Sequence, residues 1–287
     1  MTRAIALGAF DGLHTAHMAV LEAAARQKGK HTPAVLLFDQ HPQQALTGHA
    51  PPRLLTDGDR DAKLRALGLE ILYARFSEIK DMRSRDFFEE ILLGRFHAGA
   101  LCCGYDYSFG AGALGHVEEL RQLCDEHGVV LCDMPEIDYK GAPVSSTRIR
   151  QALAQGNLED VNAMLGRPFG YVFPVEEGEH IGRTLGFPTL NQSFPEGFAV
   201  PRHGVYASQA LVEGAWRPSV TNIGTRPCFA GNELRSETHI VNFAGDLYGR
   251  RVPVRLLRFL RPEQKFAGLE ELRRQIAIDT QNARKEV

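Results

Sequence analysis

The sequence predicts an α/β fold with a parallel sheet in the first half of the chain and an antiparallel β-barrel or sandwich in the second. From residue 1 to about residue 150, short apolar runs alternate with segments of helical period. This alternation is typical of a parallel sheet that is covered on both faces. After about residue 167, Gly and Pro become frequent and short alternating runs replace the helical period, which indicates antiparallel strands. We therefore predict two domains, residues 1–166 and 167–287.

The apolar runs give the predicted elements in order. Five strands are predicted in the first half: Ala4–Leu7, Ala34–Phe38, Ile71–Phe76, Ala100–Cys103 and Val129–Cys132. Helical segments are predicted between and after them, near Met18–Gln27, Asp59–Leu67, Arg85–His97, His116–His127 and Ser146–Ala154. In the second half the alternating runs are Gly204–Val212, Trp216–Ile223, Ser236–Phe243 and Arg251–Leu260. A C-terminal helix is predicted over residues 268–283, with Leu269, Leu272 and Ile276 on one apolar stripe.

Composition excludes several classes of protein. The 287 residues carry a formal net charge of −2, which lacks the basic footprint of a nucleic-acid-binding protein. No apolar run is long enough to span a bilayer, and no apolar segment with a cleavage site marks a signal peptide. The five cysteines are odd in number and lack Cys-x-x-Cys spacing, which argues against disulfides and zinc. We expect a cytoplasmic protein without a membrane partner; its oligomeric state is left open.

The stretch Gly8–His17 follows the first predicted strand and leads into the first helix. His14 and His17 lie three residues apart, so both rings can face one spot over the helix N-terminus. The free N–H groups of a helix N-terminus attract anions, and Gly8 and Gly12 permit close approach of the backbone. Two interpretations remain: a phosphate site with two imidazole donors, or a tight βα turn with two surface histidines.

A second anion-binding pattern follows the last strand of the first half. Ser145, Ser146, Thr147 and Arg148 place three hydroxyl groups and a guanidinium at a strand-to-helix junction. An ordinary N-cap followed by a basic helix explains the same residues. Because ligands bind at the carboxyl edge of parallel strands, the two patterns should lie at one edge and suit a ligand with several phosphates.

A competing pattern is G-x-G-x-x-G over residues 110–115, with Asp133 at the distance of a ribose-binding acid. It would indicate a dinucleotide-dependent oxidoreductase. The polar residues 105–108 interrupt the strand that should run directly into the first glycine, and the pattern follows the fourth strand rather than the first. We therefore expect a glycine loop over a pocket.

The second half contains a possible metal and phosphate site. Thr189 and Asn191 offer neutral oxygens on the same side of an extended segment, a donor type that suits Mg²⁺. Glu237 shares a strand face with His239 and is a candidate proton acceptor. A Pro/Gly turn and an exposed strand pair are the alternatives.

Taken together, these stretches resemble the prokaryotic bifunctional riboflavin kinase/FMN adenylyltransferase (FAD synthetase) family over nearly the whole chain. The matching stretches are residues 8–17, 38–42, 104–110, 145–150, 182–191, 204–206, 222–227, 237–243, 246–249 and 260–279. The resemblance implies a nucleotidyltransferase-like, Rossmann-like α/β domain followed by a six-stranded antiparallel riboflavin kinase barrel with a C-terminal helix. It also implies phosphorylation of riboflavin by ATP to FMN, then adenylylation of FMN to FAD with release of pyrophosphate, both with Mg²⁺.

The resemblance also implies roles for individual residues. Glu237 would be the base of the kinase, Thr189 and Asn191 would hold Mg²⁺, and His14, His17 and Arg148 would act on the ATP phosphates of the adenylyltransferase. By the same resemblance, the remaining substrate-binding residues would be Gly8, Phe10, Asp11, Asp106, Phe109, Ser145, Ser146, Thr147, Gly182, Arg183, Gly186, Pro188, Asn222 and Arg226.

Several residues depart from the family pattern. Ala9 and Ala16 stand where the family has Asn and Gly, Leu190 and Cys228 replace Ala and Thr, and Glu176-Glu177 replaces Val-His. A methyl group at position 16 would crowd a phosphate against the helix, and the acidic pair would add negative charge near the kinase phosphates. The alternatives are therefore a divergent member with one activity, or a flavin-binding protein without turnover.

Overall fold

The computed structural model describes residues 1–177, 187–228 and 231–286, apart from the side chains of residues 46, 226–228 and 231–233. Its contacts divide the chain into two compact units, Met1–Ser146 and Thr147–Val287. The boundary that we predict from the sequence lies later, after residue 166.

The first unit is built on a five-stranded parallel sheet, as the sequence predicts. Its strands are β1 (Arg3–Leu7), β2 (Thr32–Phe38), β3 (Glu70–Ala74), β4 (Ala98–Gly104) and β7 (Val130–Met134). Their order in the sheet is β3-β2-β1-β4-β7. The central position of β1 places the loop after it in the middle of the carboxyl edge, where such sheets bind ligands.

Helices cover both faces of this sheet. They are α1 (Thr15–Ala25), α2 (Pro42–Thr47), α3 (Asp57–Ala66), α4 (Phe76–Ile79), α5 (Ser84–Asp86), which continues as π-helical turns over Phe87–Arg95, and α6 (Val117–His127). Alternate residues of each strand enter different cores because side chains alternate across a strand. Ile5 packs with Phe88 and Leu92 on one face, whereas Ala6 packs with Leu21 and Leu64 on the other.

The third strand ends two residues earlier than its predicted range, Ile71–Phe76. It ends at Ala74 because Phe76 begins α4, where the Phe76 N–H donates to Asp39 Oδ1 at 3.0 Å. The bond ties the segment after β3 to the segment after β2.

In the described part of the second unit, two helices precede a six-stranded antiparallel sheet that is curved into a half-barrel. The helices are α7 (Ser146–Gln155), which begins at the last residue of the first unit, and α8 (Leu158–Leu165). The strands are β8 (Phe169–Pro174), β9 (Thr189–Ser193), β10 (Gly204–Val212), β11 (Ala215–Cys228), β12 (Gly231–Ile240) and β13 (Arg251–Arg261), in the order β8-β13-β10-β11-β12-β9. The buried Gln192 amide links the edge strands by donating to the carbonyls of Phe173 at 2.7 Å and Val252 at 2.9 Å.

Helix α8 accounts for the difference in the boundary. It packs on β13 and β8, and Asn162 donates to the Leu256 carbonyl at 3.2 Å while accepting from the Phe169 N–H at 2.7 Å. These bonds group α8 with the barrel. The boundary after residue 166 stays a prediction.

The C-terminal helix α9 (Leu269–Lys285) packs against β10 and β11. Its inner side differs from the predicted stripe, because Leu269 is 62% exposed whereas Asp279 and Ala283 are buried. Asp279 accepts hydrogen bonds from the Arg261 guanidinium, the shortest at 2.8 Å, so an ion pair docks the helix where the sequence predicts apolar contact.

The cysteines with described side chains are free thiols, and Cys102, Cys103 and Cys124 are buried as expected for small apolar residues. Burial raises the pKa of the Cys103 thiol to about 12. Across the described ranges, no helix is both long and apolar enough to cross a membrane.

Candidate active sites

The loop between β1 and α1 has an unusual backbone. Phe10, Gly12 and Leu13 all have positive φ angles, 51°, 82° and 45°. A Cβ atom at Gly12 would lie 2.7 Å from Leu54 Cδ1, so glycine is required there for space as well as for conformation. Asp11 anchors the loop by accepting the Leu54 N–H at 2.9 Å. Such backbone angles persist only where the surroundings hold them, and they concentrate at functional sites.

The two histidines of this loop form a stacked pair. Their ring centroids are 3.6 Å apart with an interplanar angle of 16°. His14 caps α1, because its Nδ1 accepts the His17 N–H at 3.3 Å. A neutral His14 ring that accepts at Nδ1 carries its proton on Nε2 and offers a hydrogen-bond donor there.

The environment of His17 favours its neutral form. Burial and the neighbouring His14 lower the pKa of His17 well below its usual value. Its Nδ1 is buried and has no hydrogen-bond partner in the part of the chain that the structure describes. Two imidazolium rings at this separation would repel each other by about 4 kcal/mol in a surface-like dielectric. The pair is thus suited to donate N–H bonds without a full charge.

A pocket of about 590 Å³ adjoins this pair, and we call it the N-terminal pocket. It brings together residues that are far apart in sequence. The predicted site residues that line it are Gly8, Phe10, His14, His17, Asp106, Phe109, Ser145 and Ser146. Ala16, the departure from the family pattern, also lines it. The convergence follows from the parallel sheet, since each segment follows the carboxyl end of a strand.

Three predicted residues of the first half are not among the described residues that line this pocket. Asp11 shapes the loop, and its carbonyl accepts the Ser146 hydroxyl at 2.9 Å, which joins the two predicted anion sites. Thr147 and Arg148 continue α7 beyond the first unit. Their contact with ATP stays a prediction.

Sequence reasoning missed part of the pocket wall. Phe76, Phe87 and Lys80 line it and follow β3 in the chain. Phe76 packs edge-on against Phe38 at 5.3 Å, and Phe109 stacks on Tyr107 at 5.8 Å. The rule that residues after parallel strands gather at one edge would have found Lys80, because it follows a predicted strand.

The glycine pattern at residues 110–115 lies in a loop with a 3-10 turn over Ala111–Ala113 rather than between a parallel strand and a helix. It connects β5 (Ser108–Phe109) to β6 (Gly115–His116), an antiparallel pair. Gly110 and Gly112 line the N-terminal pocket, which agrees with the expected glycine loop. Asp133 accepts from Arg121 at 2.7 Å.

The second site lies on the barrel. Asn191 on β9, Glu237 on β12 and Asn222 on β11 are direct partners across three neighbouring strands. Direct partners in antiparallel strands point to the same face, with Cβ atoms roughly 5 Å apart. The register therefore groups a carboxylate with two amides.

Thr189 lies beside this row. It is the direct partner of His239, and its diagonal neighbour on the same face is Glu237. His239 Nδ1 lies 3.0 Å from the Pro188 carbonyl, which orients the ring. Burial lowers the pKa of His239.

A pocket of about 530 Å³, which we call the barrel pocket, opens at Pro188, Thr189 and Asn191. Its other side is formed by the segment Phe243–Tyr248. Glu237 and Asn222 are not among the described lining residues and are placed by the register instead. Gly182, Arg183 and Gly186 lie outside the described residues, as does the side chain of Arg226.

The two residues of the acidic pair, Glu176 and Glu177, have different surroundings. Glu176 accepts the Ser193 hydroxyl at 2.6 Å, and its carboxylate lies 3.8 Å from Arg235. The Glu176 N–H donates to the Asn191 carbonyl at 2.9 Å, so Glu176 adjoins the row. Glu177 is exposed. The charge of Glu176 is thus partly balanced by a guanidinium.

The donor set of the barrel pocket fits Mg²⁺. The Thr189 hydroxyl and the Asn191 amide are hard oxygen donors at its wall, with Glu237 beside them. Mg²⁺ takes few protein oxygens and completes its shell with water and substrate phosphates.

Comparisons with known proteins decide the family. The riboflavin kinase family model matches residues 165–287, and the FAD synthetase family model matches residues 1–148. The chain belongs to the bifunctional riboflavin kinase/FMN adenylyltransferase family. As a member, it converts riboflavin to FMN and then FMN to FAD, using ATP as the phosphoryl and adenylyl donor.

Relatives of this family match nearly end to end. The chain is 36% identical to the bifunctional riboflavin kinase/FMN adenylyltransferase of Escherichia coli K12, over 98% of this chain and 91% of that protein. The bifunctional enzymes of Listeria monocytogenes and Bacillus subtilis are 35% and 33% identical, and each alignment covers at least 97% of this chain and 90% of the relative.

A solved structure has the same fold. The crystal structure of a protein described as a macrolide-efflux protein from Streptococcus pneumoniae superposes with a TM-score of 0.87 at 28% identity. The match covers 99% of this chain and 94% of that chain. It supports the arrangement of elements within each unit.

Proposed function

We propose that the N-terminal pocket is the site of adenylyl transfer. In this step a phosphate oxygen of FMN attacks the α-phosphorus of ATP, and the bond to the β-phosphate oxygen breaks. His14 and His17 donate from Nε2 to phosphate oxygens, and the N-terminus of α1 adds its partial positive charge. Ser145, Ser146, Thr147 and Arg148 hold further phosphate oxygens.

The rest of the pocket positions the two substrates. The backbone at Gly8 and Phe10 lies against the nucleotide, while Asp106 and Phe109 contact the base or the flavin. Asp11 holds the loop and Ser146 in place. Positioning of this kind accounts for a large part of phosphoryl-transfer catalysis.

We assign the kinase step to the barrel. Glu237 accepts the proton of the ribityl 5′-hydroxyl as its oxygen attacks the γ-phosphorus of ATP. Thr189 and Asn191 would hold Mg²⁺, which neutralises negative charge on the phosphates when bound. Gly182, Arg183, Gly186, Pro188, Asn222 and Arg226 would contact the nucleotide or the flavin.

Convergence of distant residues carries this proposal. One pocket is lined by residues 8–10, 14, 16 and 17, by residues 104–109 and by residues 144–146, and the barrel register independently pairs Asn191 with Glu237. The free thiols favour a reducing cytoplasmic setting. The binding partners of the protein are the small molecules ATP, riboflavin and FMN.

Two isosteric variants test the assignment, and each is the control for the other. We expect His17→Gln to lower FMN adenylylation about 100-fold or more while riboflavin phosphorylation continues. We expect Glu237→Gln to lower riboflavin phosphorylation by at least about 100-fold while supplied FMN is still adenylylated. Chromatography of riboflavin, FMN and FAD after incubation with ATP and Mg²⁺ measures both steps.

The same assay separates the alternatives. If the wild type accumulates FMN without FAD, or converts only supplied FMN, one activity has been lost. Absence of turnover in the wild type would indicate a flavin-binding protein, and unchanged turnover in either variant would refute that residue's role.

A further inference from the structure

Lys80 holds a defined place in the wall of the N-terminal pocket, beside Phe38, Phe76 and Ile79. Its N–H donates to the Phe76 carbonyl at 2.9 Å and closes α4. Since the Phe76 N–H bonds to Asp39, the backbone of Lys80 is held at the carboxyl edge of the sheet.

The charges of the pocket make this lysine distinctive. Among the described residues that line the pocket, Lys80 is the one with a cationic side chain, and Asp106 is the one with a carboxylate. The lowered pKa of His17 keeps its ring neutral at neutral pH. A phosphate monoester carries about 1.5 to 2 negative charges at neutral pH, and both substrates of adenylyl transfer carry phosphates.

The Lys80 side chain is 36% exposed, and its ammonium group pairs with a surface carboxylate. Its Nζ lies 3.2 Å from the carboxylate of the adjacent Asp81, whose side chain is 84% exposed. An ion pair of this kind is weak because water screens it. A phosphate against the aromatic wall would be screened less and would attract the ammonium more strongly.

We propose that Lys80 leaves Asp81 and binds a phosphate group of FMN or ATP during adenylyl transfer. The proposal rests on the assignment of the N-terminal pocket to this step. Lys80 acts in binding and accepts or donates no proton.

The test compares three variants of the full chain. Lys80→Met removes the charge and keeps the length of the side chain, whereas Lys80→Arg keeps the charge. Arg83→Met is the matched control, because Arg83 is exposed, pairs with Asp86 and is not among the described lining residues. KM and kcat for FMN and for ATP are measured in adenylyl transfer at low and high salt, and KM for riboflavin phosphorylation is measured in the same preparations.

We expect Lys80→Met to raise the KM for FMN or for ATP about tenfold at low salt, with kcat within about threefold. The KM that rises identifies the substrate whose phosphate is bound. Lys80→Arg should lie within about threefold of the wild type, and Arg83→Met should match it. The kinase step should be unchanged in every variant.

Two results would overturn the inference. The first is that both KM values in Lys80→Met stay within twofold of the wild type. The second is that Lys80→Met weakens the binding of riboflavin, measured as a competitor of FMN, as much as it weakens the binding of FMN. Riboflavin has no phosphate, so an equal loss would mean that Lys80 does not act on the phosphate. If His17→Gln lowers kcat alone, that result bears on the catalytic role assigned to His17. It does not affect the comparison of the Lys80 variants with the wild type.

Discussion

The rings of His14 and His17 stack 3.6 Å apart at the start of α1, and the His17 N–H donates to His14 Nδ1. The backbone of one histidine thus selects the tautomer of the other. Stacking disfavours a double positive charge, and the lowered pKa of His17 makes that ring a neutral donor. The stacking and the hydrogen bond both require that the two histidines lie three residues apart and that α1 begins between them.

The pH dependence of His17 follows from its burial. Its pKa in the folded state lies well below that of an unfolded chain, about 6.5. The unfolded state therefore binds more protons, so the stabilising contribution is complete above the unfolded pKa and is lost as pH falls. Histidine NMR between pH 8 and 5 should show the His17 ring titrating below the ordinary histidine range.

His17→Gln should weaken the loss of stability on acidification of the first unit. His239 has the same sign of dependence in the second unit, so the acid sensitivity of that unit should remain. Amide hydrogen exchange in β1 and α1 at pH 5 and pH 7 measures it. Titration of the His17 ring at or above the ordinary histidine pKa, about 6.5, would contradict the prediction.

Ala16→Gly should improve adenylyl transfer. Ala16 lines the N-terminal pocket at the second position of α1, so its methyl group is beside the phosphate site that we propose. We expect a severalfold lower KM for ATP in adenylyl transfer, with a stability loss of at most about 1 kcal/mol from the added glycine. Kinetics of FMN adenylylation measures the effect, with riboflavin phosphorylation as the control; an unchanged or higher KM would show that the methyl group does not crowd the phosphate.

Asn191→Ala should raise the Mg²⁺ requirement of the kinase step alone. Asn191 contributes an amide oxygen to the wall of the barrel pocket, opposite Glu237. We expect the Mg²⁺ concentration for half-maximal riboflavin phosphorylation to rise about tenfold or more. Adenylylation of supplied FMN, titrated with Mg²⁺ in the same preparation, is the internal control. Equal shifts in both steps would mean that the residue acts generally on folding.

Asp279→Ala should strongly destabilise the second unit. Asp279 is 3% exposed and is bound by Arg261, so its removal leaves a guanidinium without its carboxylate. We expect a loss of about 3–5 kcal/mol in the free energy of unfolding. The single tryptophan, Trp216, lies in this unit, and its fluorescence during urea unfolding reports the loss.

Glu286→Ala is the matched control for Asp279→Ala. It removes a carboxylate from the same C-terminal region that pairs with another arginine of β13, Arg258, at 2.8 Å. The Arg258 side chain is largely exposed, so we expect a loss below about 1 kcal/mol. Equal losses in the two variants would show that burial does not set the strength of these pairs.

Much of the fold could be predicted because it depends on local pattern. The runs at residues 4–7, 34–38 and 204–212 lie in strands as predicted, since apolar period alone marks them. The prediction that Leu269 lies on the buried side of α9 was wrong. An apolar stripe assumes apolar contact along the whole helix, whereas Asp279 docks α9 through a charge.

The candidate sites were predictable in part. Glycines, histidines and hydroxyls after strands marked both patterns of the first half. Lys80 carries no motif, and its place in the pocket depends on the order of the strands. The partnership of Asn191 with Glu237 depends on a register that no local signal contains.

The sequence by itself determined the periodicity, and with it most of the helical and strand segments and many of the residues that face a core. It also determined that a chain with these residues at these positions resembles a two-step flavin enzyme. Only the tertiary structure decided that β1 lies at the centre of its sheet. It alone decided that the rings of His14 and His17 stack, and that Asn191 lies opposite Glu237. The physical reason is that periodicity is a property of neighbouring residues, whereas strand order and register are set by packing between segments far apart in the chain.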